Sequence, residues 1–319
     1  MLERALQEPE GAYAAIVDKA ANDPSSITST ELGRLREFTL LQTLRTYSYV
    51  EKLMAMSDQH YVDLEAAAPS KPLPPPMLAN FDAAVMMAIH HFVKMRKHVS
   101  DLETCLILNE ARREFITSDD PAIHTNRFHF QKLRKNSFGL GSAGAMLFLP
   151  LTPKLAFMAF DGNVYVGSSR QSNTIAIRLD DEVSALNELQ LLHARQNLYY
   201  RDATSGETLV TEFRRHAARR PTVWHEFSYF ERVGESDKVE VYGPVEAMTL
   251  EGDRQFITNM RPVHVQPSRW TGLLKYRLRP RFVDTGTGVG CIRPNHPILE
   301  RLKGKIVSEP QDQSDQTKH

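Results

Sequence analysis

The chain has 319 residues, with 39 Lys plus Arg against 39 Asp plus Glu, so its formal net charge is zero. Hydrophobic residues make up 41% and charged residues 24%, which excludes a disordered chain, a collagen-like fibre and a cysteine-stapled secreted domain. Charge neutrality argues against a surface that tracks nucleic acid everywhere, though it leaves room for a local basic groove.

The N-terminus, MLERALQEPEG, is charged and lacks the apolar centre of a signal peptide. No apolar run approaches the ~20 residues of a membrane span, and a cytoplasmic location is expected. Residues 1–100 read as a helical region. Thr28 followed by Glu31 makes a capping-box start, and Leu32, Leu35, Phe38, Leu41 and Leu44 recur at helical spacing. The pattern predicts one helix running from there to near Met56. The stretch 69–76 (PSKPLPPP) breaks it, because proline lacks an amide donor. A second helix is expected over 78–96.

Residues 101–204 change character. Short apolar runs at 104–108, 114–117, 146–149, 155–160, 163–166 and 173–177 read as strands broken by Gly, Pro, Asn and Asp. Asp161-Gly162-Asn163 is a hairpin signal. Residues 180–200 return to helix, capped by Asp180 or Asp181. Residues 205–305 read as a basic, β-rich region with strands at 223–230, 238–242, 255–258 and 273–282, and a short closing helix at 297–303. The polar end, 306–319, reads as a disordered tail.

Several motifs have chemical readings. Gly139, Gly141 and Gly144 spell a literal GxGxxG, but a basic polar stretch precedes it and an apolar strand follows, so a loop is expected rather than a dinucleotide site. The glycines of 286–290 read as a turn. His90, His91 and His98 lack metal-ligand spacing. Cys105 and Cys291 sit in apolar surroundings and read as reduced, partly buried thiols. The most structured polar signal is FITSDDP, residues 115–121. A strand there delivers Ser118, Asp119 and Asp120 to its end, with His124 and His129 close behind; carboxylates beside imidazoles can hold a divalent ion or supply a base. An Asp before proline equally favours a turn. Cations gather at Arg134 and Lys135, at Arg214, Arg215, Arg219 and Arg220, and at Lys275, Arg277, Arg279 and Arg281. The last four alternate as on one strand face, near Trp270 and Tyr276.

Three stretches, FITSDDP (115–121), FLPLTPKLAF (148–157) and LNELQLLHARQNLYY (186–200), together resemble the family numbered 4238 among the domains of unknown function. The helix with Phe38, Gln42 and Arg45 is similar to one the family places upstream, so the resemblance covers roughly residues 30–202. Asp120 stands where the family usually has Asn, and the family's His-Tyr-x-Pro-like opening has no counterpart, as if this chain started later. The resemblance implies a soluble, mainly bacterial protein and no established reaction, cofactor or catalytic residue.

The expected fold is α+β, with an N-terminal helical layer on a mostly antiparallel sheet and a further β-rich C-terminal region. The expected function is a non-enzymatic interaction or sensor component in bacterial defence or mobile-element conflict, with no cofactor. Its partner is expected to be another protein, or nucleic acid along the basic ribbon. Ser118, Arg134, Lys135, Trp270, Lys275, Arg277, Arg279 and Arg281 are the expected binding residues. The alternative is a metal-assisted hydrolase or nuclease, with Asp119 and Asp120 on a divalent ion, His124 or His129 as base, and Arg134 or Lys135 on phosphate.

Overall fold

A computed structural model describes residues 2–68, 75–76, 78, 80–168, 173–236, 239–246, 254–285, 290–296 and 299. The expectations for most of the proline stretch, most of the 286–290 turn, most of the 297–303 helix and the 306–319 tail lie outside those residues.

Four helices open the chain: α1 (Leu2–Asn22), α2 (Ser29–Leu44), α3 (Tyr47–Ala67) and α4 (Phe81–Met95). The Thr28–Glu31 capping box forms as expected, each side chain bonding the other's backbone amide. The single helix expected from there to Met56 is instead two. Thr46 takes an extended backbone and caps α3 by accepting from the Tyr49 amide, because its hydroxyl can replace the missing helical partner.

The central sheet follows: β1 (Glu103–Asn109), β2 (Thr117–Ser118), β3 (Ile123–Thr125), β4 (Met146–Thr152), β5 (Leu155–Phe160), β6 (Tyr165–Gly167) and β7 (Thr174–Ile177). Five of these pair in the order β3-β4-β5-β1-β7, antiparallel except for β1 with β7. Alternation along the strands divides the core between the two faces. Leu106, Leu147, Leu155, Phe157 and Ala159 face Leu32, Leu35, Leu40 and Leu44 of α2 and Ile16 of α1. Cys105, Ile107, Met146, Phe148, Met158 and Phe160 face Val183, Leu186 and Leu189 of α5 (Asp180–His193). Both faces are covered, so β5 is apolar at every position.

Four sequence expectations fail locally. The 114–117 strand shrinks to β2. The 180–200 helix stops at His193, and β8 (Leu198–Tyr199) turns back to pair with β2. Leu179, rather than Asp180 or Asp181, occupies the cap position, and Asp180 accepts from the Arg113 amide instead. The turn at Asp161–Asn163 forms, but β5 and β6 do not make a hairpin. Gly162 lies against Glu103, whose carboxylate would meet any added Cβ at 2.0 Å, and β6 leaves to pair with β12 (Leu274–Tyr276).

The C-terminal region, expected to be β-rich with its first strand at 223–230, begins with a helix, α6 (Gly206–Ala217). A separate three-stranded sheet follows, in the order β10-β9-β11, from β9 (His225–Ser236), β10 (Val239–Val245) and β11 (Phe256–Pro262). The long 273–282 strand is only β12. Beyond it the Arg277 and Arg281 amides bond the Val164 and Asn163 carbonyls across Pro280. A last pair, β13 (Val283–Asp284) and β14 (Cys291–Ile292), closes the described chain. Both cysteines are buried, and neither is in a disulfide. Among the described residues no helix is long and apolar enough to cross a membrane.

The glycine motif has a structural use. Gly141 passes the His296 ring so closely that a Cβ would sit 2.7 Å from Nε2, and Gly144 holds φ +77 against Phe128. This lets the 290–296 segment lie on the loop and bury Arg293 completely. Its guanidinium meets both Asp101 oxygens (2.8 and 3.0 Å) and donates to the carbonyls of His98, Leu140 and Ser142. Arg293→Met should therefore cost about 3–5 kcal/mol, because Asp101, its side chain only 11% exposed, is left without its cation; urea unfolding of the two proteins measures the difference.

Candidate functional site

Beyond the short pairing of β2 with β8, the FITSDDP segment is held by side chains. Asn187 and Gln190 lie three apart on α5, so their amides share one face. Asn187 accepts from the Ile116 amide (3.1 Å) and donates to the Glu114 carbonyl (2.8 Å). Gln190 accepts from the Ser118 hydroxyl and donates to the Pro121 carbonyl, each at 2.8 Å. Both glutamine and asparagine are buried; each amide therefore replaces backbone bonds that a ladder would supply.

The acidic pair is split by this clamp. Asp119 accepts from the amides of Arg195, Gln196 and Asn197 at 2.8, 2.8 and 3.0 Å. Its carboxylate closes the turn after α5. Asp120 faces the other way and is buried. It accepts from the Thr46 hydroxyl (3.2 Å) and pairs with Lys52 (3.6 Å), which lies 4.1 Å above the Trp224 ring. Ser118 is buried beneath Gln190. Among the described residues no group of three or more His, Cys, Asp and Glu side chains is placed to hold a metal ion.

His124 and His129 enter an aromatic cluster. His264 stacks on Phe138 at 3.9 Å, and His124 meets both rings edge-on at 5.2 and 5.4 Å. His129 packs against Phe138 at 5.5 Å. Burial pushes His124 down to about 3, with Arg293 and the neighbouring histidines adding to the effect. Burial likewise holds His129 at about 4, aided by Lys135, and sets His264 well below the ordinary imidazole range. The Nε2 of His124 has no hydrogen-bond partner.

Residues that the sequence reading passed over complete this buried polar layer. His193 donates from Nδ1 to the Leu189 carbonyl (2.9 Å), which leaves Nε2 as an acceptor. Burial, then Lys52, lowers it to about 4, although Asp120 pulls the other way. Trp224, His225 and His264 reach the layer from the C-terminal region. In the sequence His193 reads as one more position on a helix side; only the ion pair of Asp120 with Lys52 shows that polar groups meet there.

The remaining expected residues lie elsewhere. Arg134 ends a short π-helical turn in the left-handed conformation (φ 51), and Lys135 follows it; both are exposed. Trp270 packs on Phe130 at 6.1 Å with its indole nitrogen buried and without a partner. Arg277 bonds the Gly162 carbonyl and faces Glu103 at 3.9 Å; Arg281 reaches the Asn163 side chain. Lys275 and Arg279 are exposed, with no bonded partner among the described residues. Arg127 and Lys132 cover Tyr276 at 5.0 and 5.3 Å, which adds two cations to this face.

Two measurements check this arrangement. Asp119→Ala strands three amides and should lower stability by about 2–4 kcal/mol in urea unfolding. The neutral histidines make stability depend on pH with a definite sign. An imidazole near 6.5 when unfolded and near 3–4 when folded binds more protons in the unfolded chain. Their contribution is full above pH ~6.5 and is lost as pH falls towards ~4. The slope of unfolding free energy over that window should decrease in His124→Phe.

No curated protein and no solved structure matches the chain. A family model, described as Protein of unknown function (DUF4238), matches residues 1–204. The match begins at residue 1, so it takes in α1 as well as the stretch from about residue 30. It ends between β8 and α6 and includes the helical layer, the central sheet and the clamp on 115–121. With that match spanning well over half of its 319 residues, the chain belongs to this family of proteins of unknown function.

Proposed function

We propose that the protein works by binding, as an interaction or sensor component in the bacterial cytoplasm, and that its setting is defence against mobile elements. The observation that carries the binding reading is the contrast between its charges. Both carboxylates of FITSDDP are taken by groups of the same chain, whereas Lys275 and Arg279 are exposed and have no bonded partner among the described residues. Leu278 between them is fully exposed. Arg127 and Lys132 cover Tyr276 nearby, and Arg277 beside it faces Glu103 at 3.9 Å. A cationic face with an apolar tip suits an acidic protein surface.

Arg277 and Arg281 also hold the 162–163 turn, so reversing their charge would disturb the fold. Lys275→Glu with Arg279→Glu is the cleaner test. Fluorescence anisotropy with labelled poly-glutamate and with a single-stranded DNA oligonucleotide should show salt-sensitive binding, preferring the polypeptide. The double variant should bind about tenfold or more weakly, with unfolding stability changed by no more than about 0.5 kcal/mol per site. Preference for DNA would move the partner to nucleic acid. Binding that ignores both substitutions would sink the proposal. The defence setting is tested by phage plaque counts on cells with and without the gene.

A further inference from the structure

The cleft between α5 and α6 has no part in the binding face just described. A cavity of about 300 Å³ opens there, at the small end of the range for small-molecule sites. Glu188 of α5, Glu212, Arg215 and His216 of α6, and Arg113 and Arg269 line it. A second hollow of about 360 Å³ along α6 shares Glu212 and Arg215, so Arg215 stands where the two meet.

The charge of this lining is unbalanced. Glu188 is buried and already satisfied, by the Ser268 amide (2.8 Å), the Ser268 hydroxyl (2.6 Å) and Arg219 (2.5 Å). Arg219 is not among the cavity's lining residues, so that carboxylate is neutralised from outside. Glu212 pairs with Arg113 at 2.9 Å. Among the described residues Arg269 reaches only Asp181, at 3.4 Å, whose carboxylate is 86% exposed; such a pair is screened and weak. Arg215 has no bonded partner among the described residues. His216 donates from Nδ1 to the Glu212 carbonyl (2.7 Å) and turns Nε2 towards Glu188 at 3.6 Å. One guanidinium is therefore unspent and a second is weakly engaged, around a space of molecular size.

We infer that this cleft binds a small molecule bearing an oxyanion, a phosphate or a carboxylate, with Arg215 as its anchor and Arg269 beside it. The planar fork of a guanidinium matches both anions through paired hydrogen bonds. The site joins α5, inside the family match, to α6 and residues 268–269 beyond it, so an occupant stabilises the seating of the C-terminal region on the body.

The full chain is tested by thermal unfolding in inorganic phosphate and, separately, in succinate, each against sodium chloride of equal ionic strength. The expected result is a midpoint that rises and saturates with one or both oxyanions but not with chloride. A phosphate-only response assigns a phosphate ligand, and a succinate-only response a carboxylate. Arg215→Gln should weaken apparent affinity about tenfold or more. Arg269→Gln, which leaves α6 untouched, should weaken it less, and Arg214→Gln, outside the cavity, should not. No rise up to about 10 mM of either anion, or an undiminished rise in both Arg215→Gln and Arg269→Gln, overturns the inference.

Discussion

The clamp of α5 on residues 114–121 is the constraint from which the rest of the molecule follows. That segment runs beside the sheet without joining its ladder, so its amides and carbonyls need other partners. Asn187 and Gln190 provide them from one helix face. Their position on α5 is set in turn by Val183, Leu186 and Leu189, which pack on the sheet. Once the segment is seated, Asp119 and Asp120 follow β2 in a bend and diverge. One closes the turn after α5; the other reaches α3.

A second anchor works on the opposite side of the chain order. Arg293 lies nearly two hundred residues from Asp101, yet its guanidinium is fully buried against that carboxylate and three carbonyls. Burying a charge is tolerable only when such a shell is complete. The glycines at 141 and 144 make room for it. The region beyond the family match is thus no appendage: it places Leu273, Leu274 and Cys291 in the main core and lends β12 to β6.

Between the two anchors lies the layer of neutral histidines. His124 and His129 come from the body, and His264 from the C-terminal region. Removal from water lowers the affinity of each for a proton. Their rings serve here as aromatic packing surfaces. The open cations, by contrast, lie at the periphery, on the 275–279 segment and along α6, where solvent can carry their charge.

Much of the fold was legible in the sequence because it depends on local pattern. The capping box at Thr28, the short apolar runs of 104–108 and 155–160 and the periodicity of α5 are short-range signals, and the structure has these elements. The break at Thr46 was not legible, since a threonine that caps one helix looks like any residue within a longer one. The strand at 273–282 failed because Arg277 and Arg281 turn to the carbonyls of 163–164, a contact that no local window contains. The candidate site divides in the same way. Residue types alone mark FITSDDP as special and the C-terminal segment as cationic. Whether a carboxylate is spent or available depends on groups 50 to 80 residues distant, at Thr46, Lys52 and 195–197, and those meet only when the chain has folded.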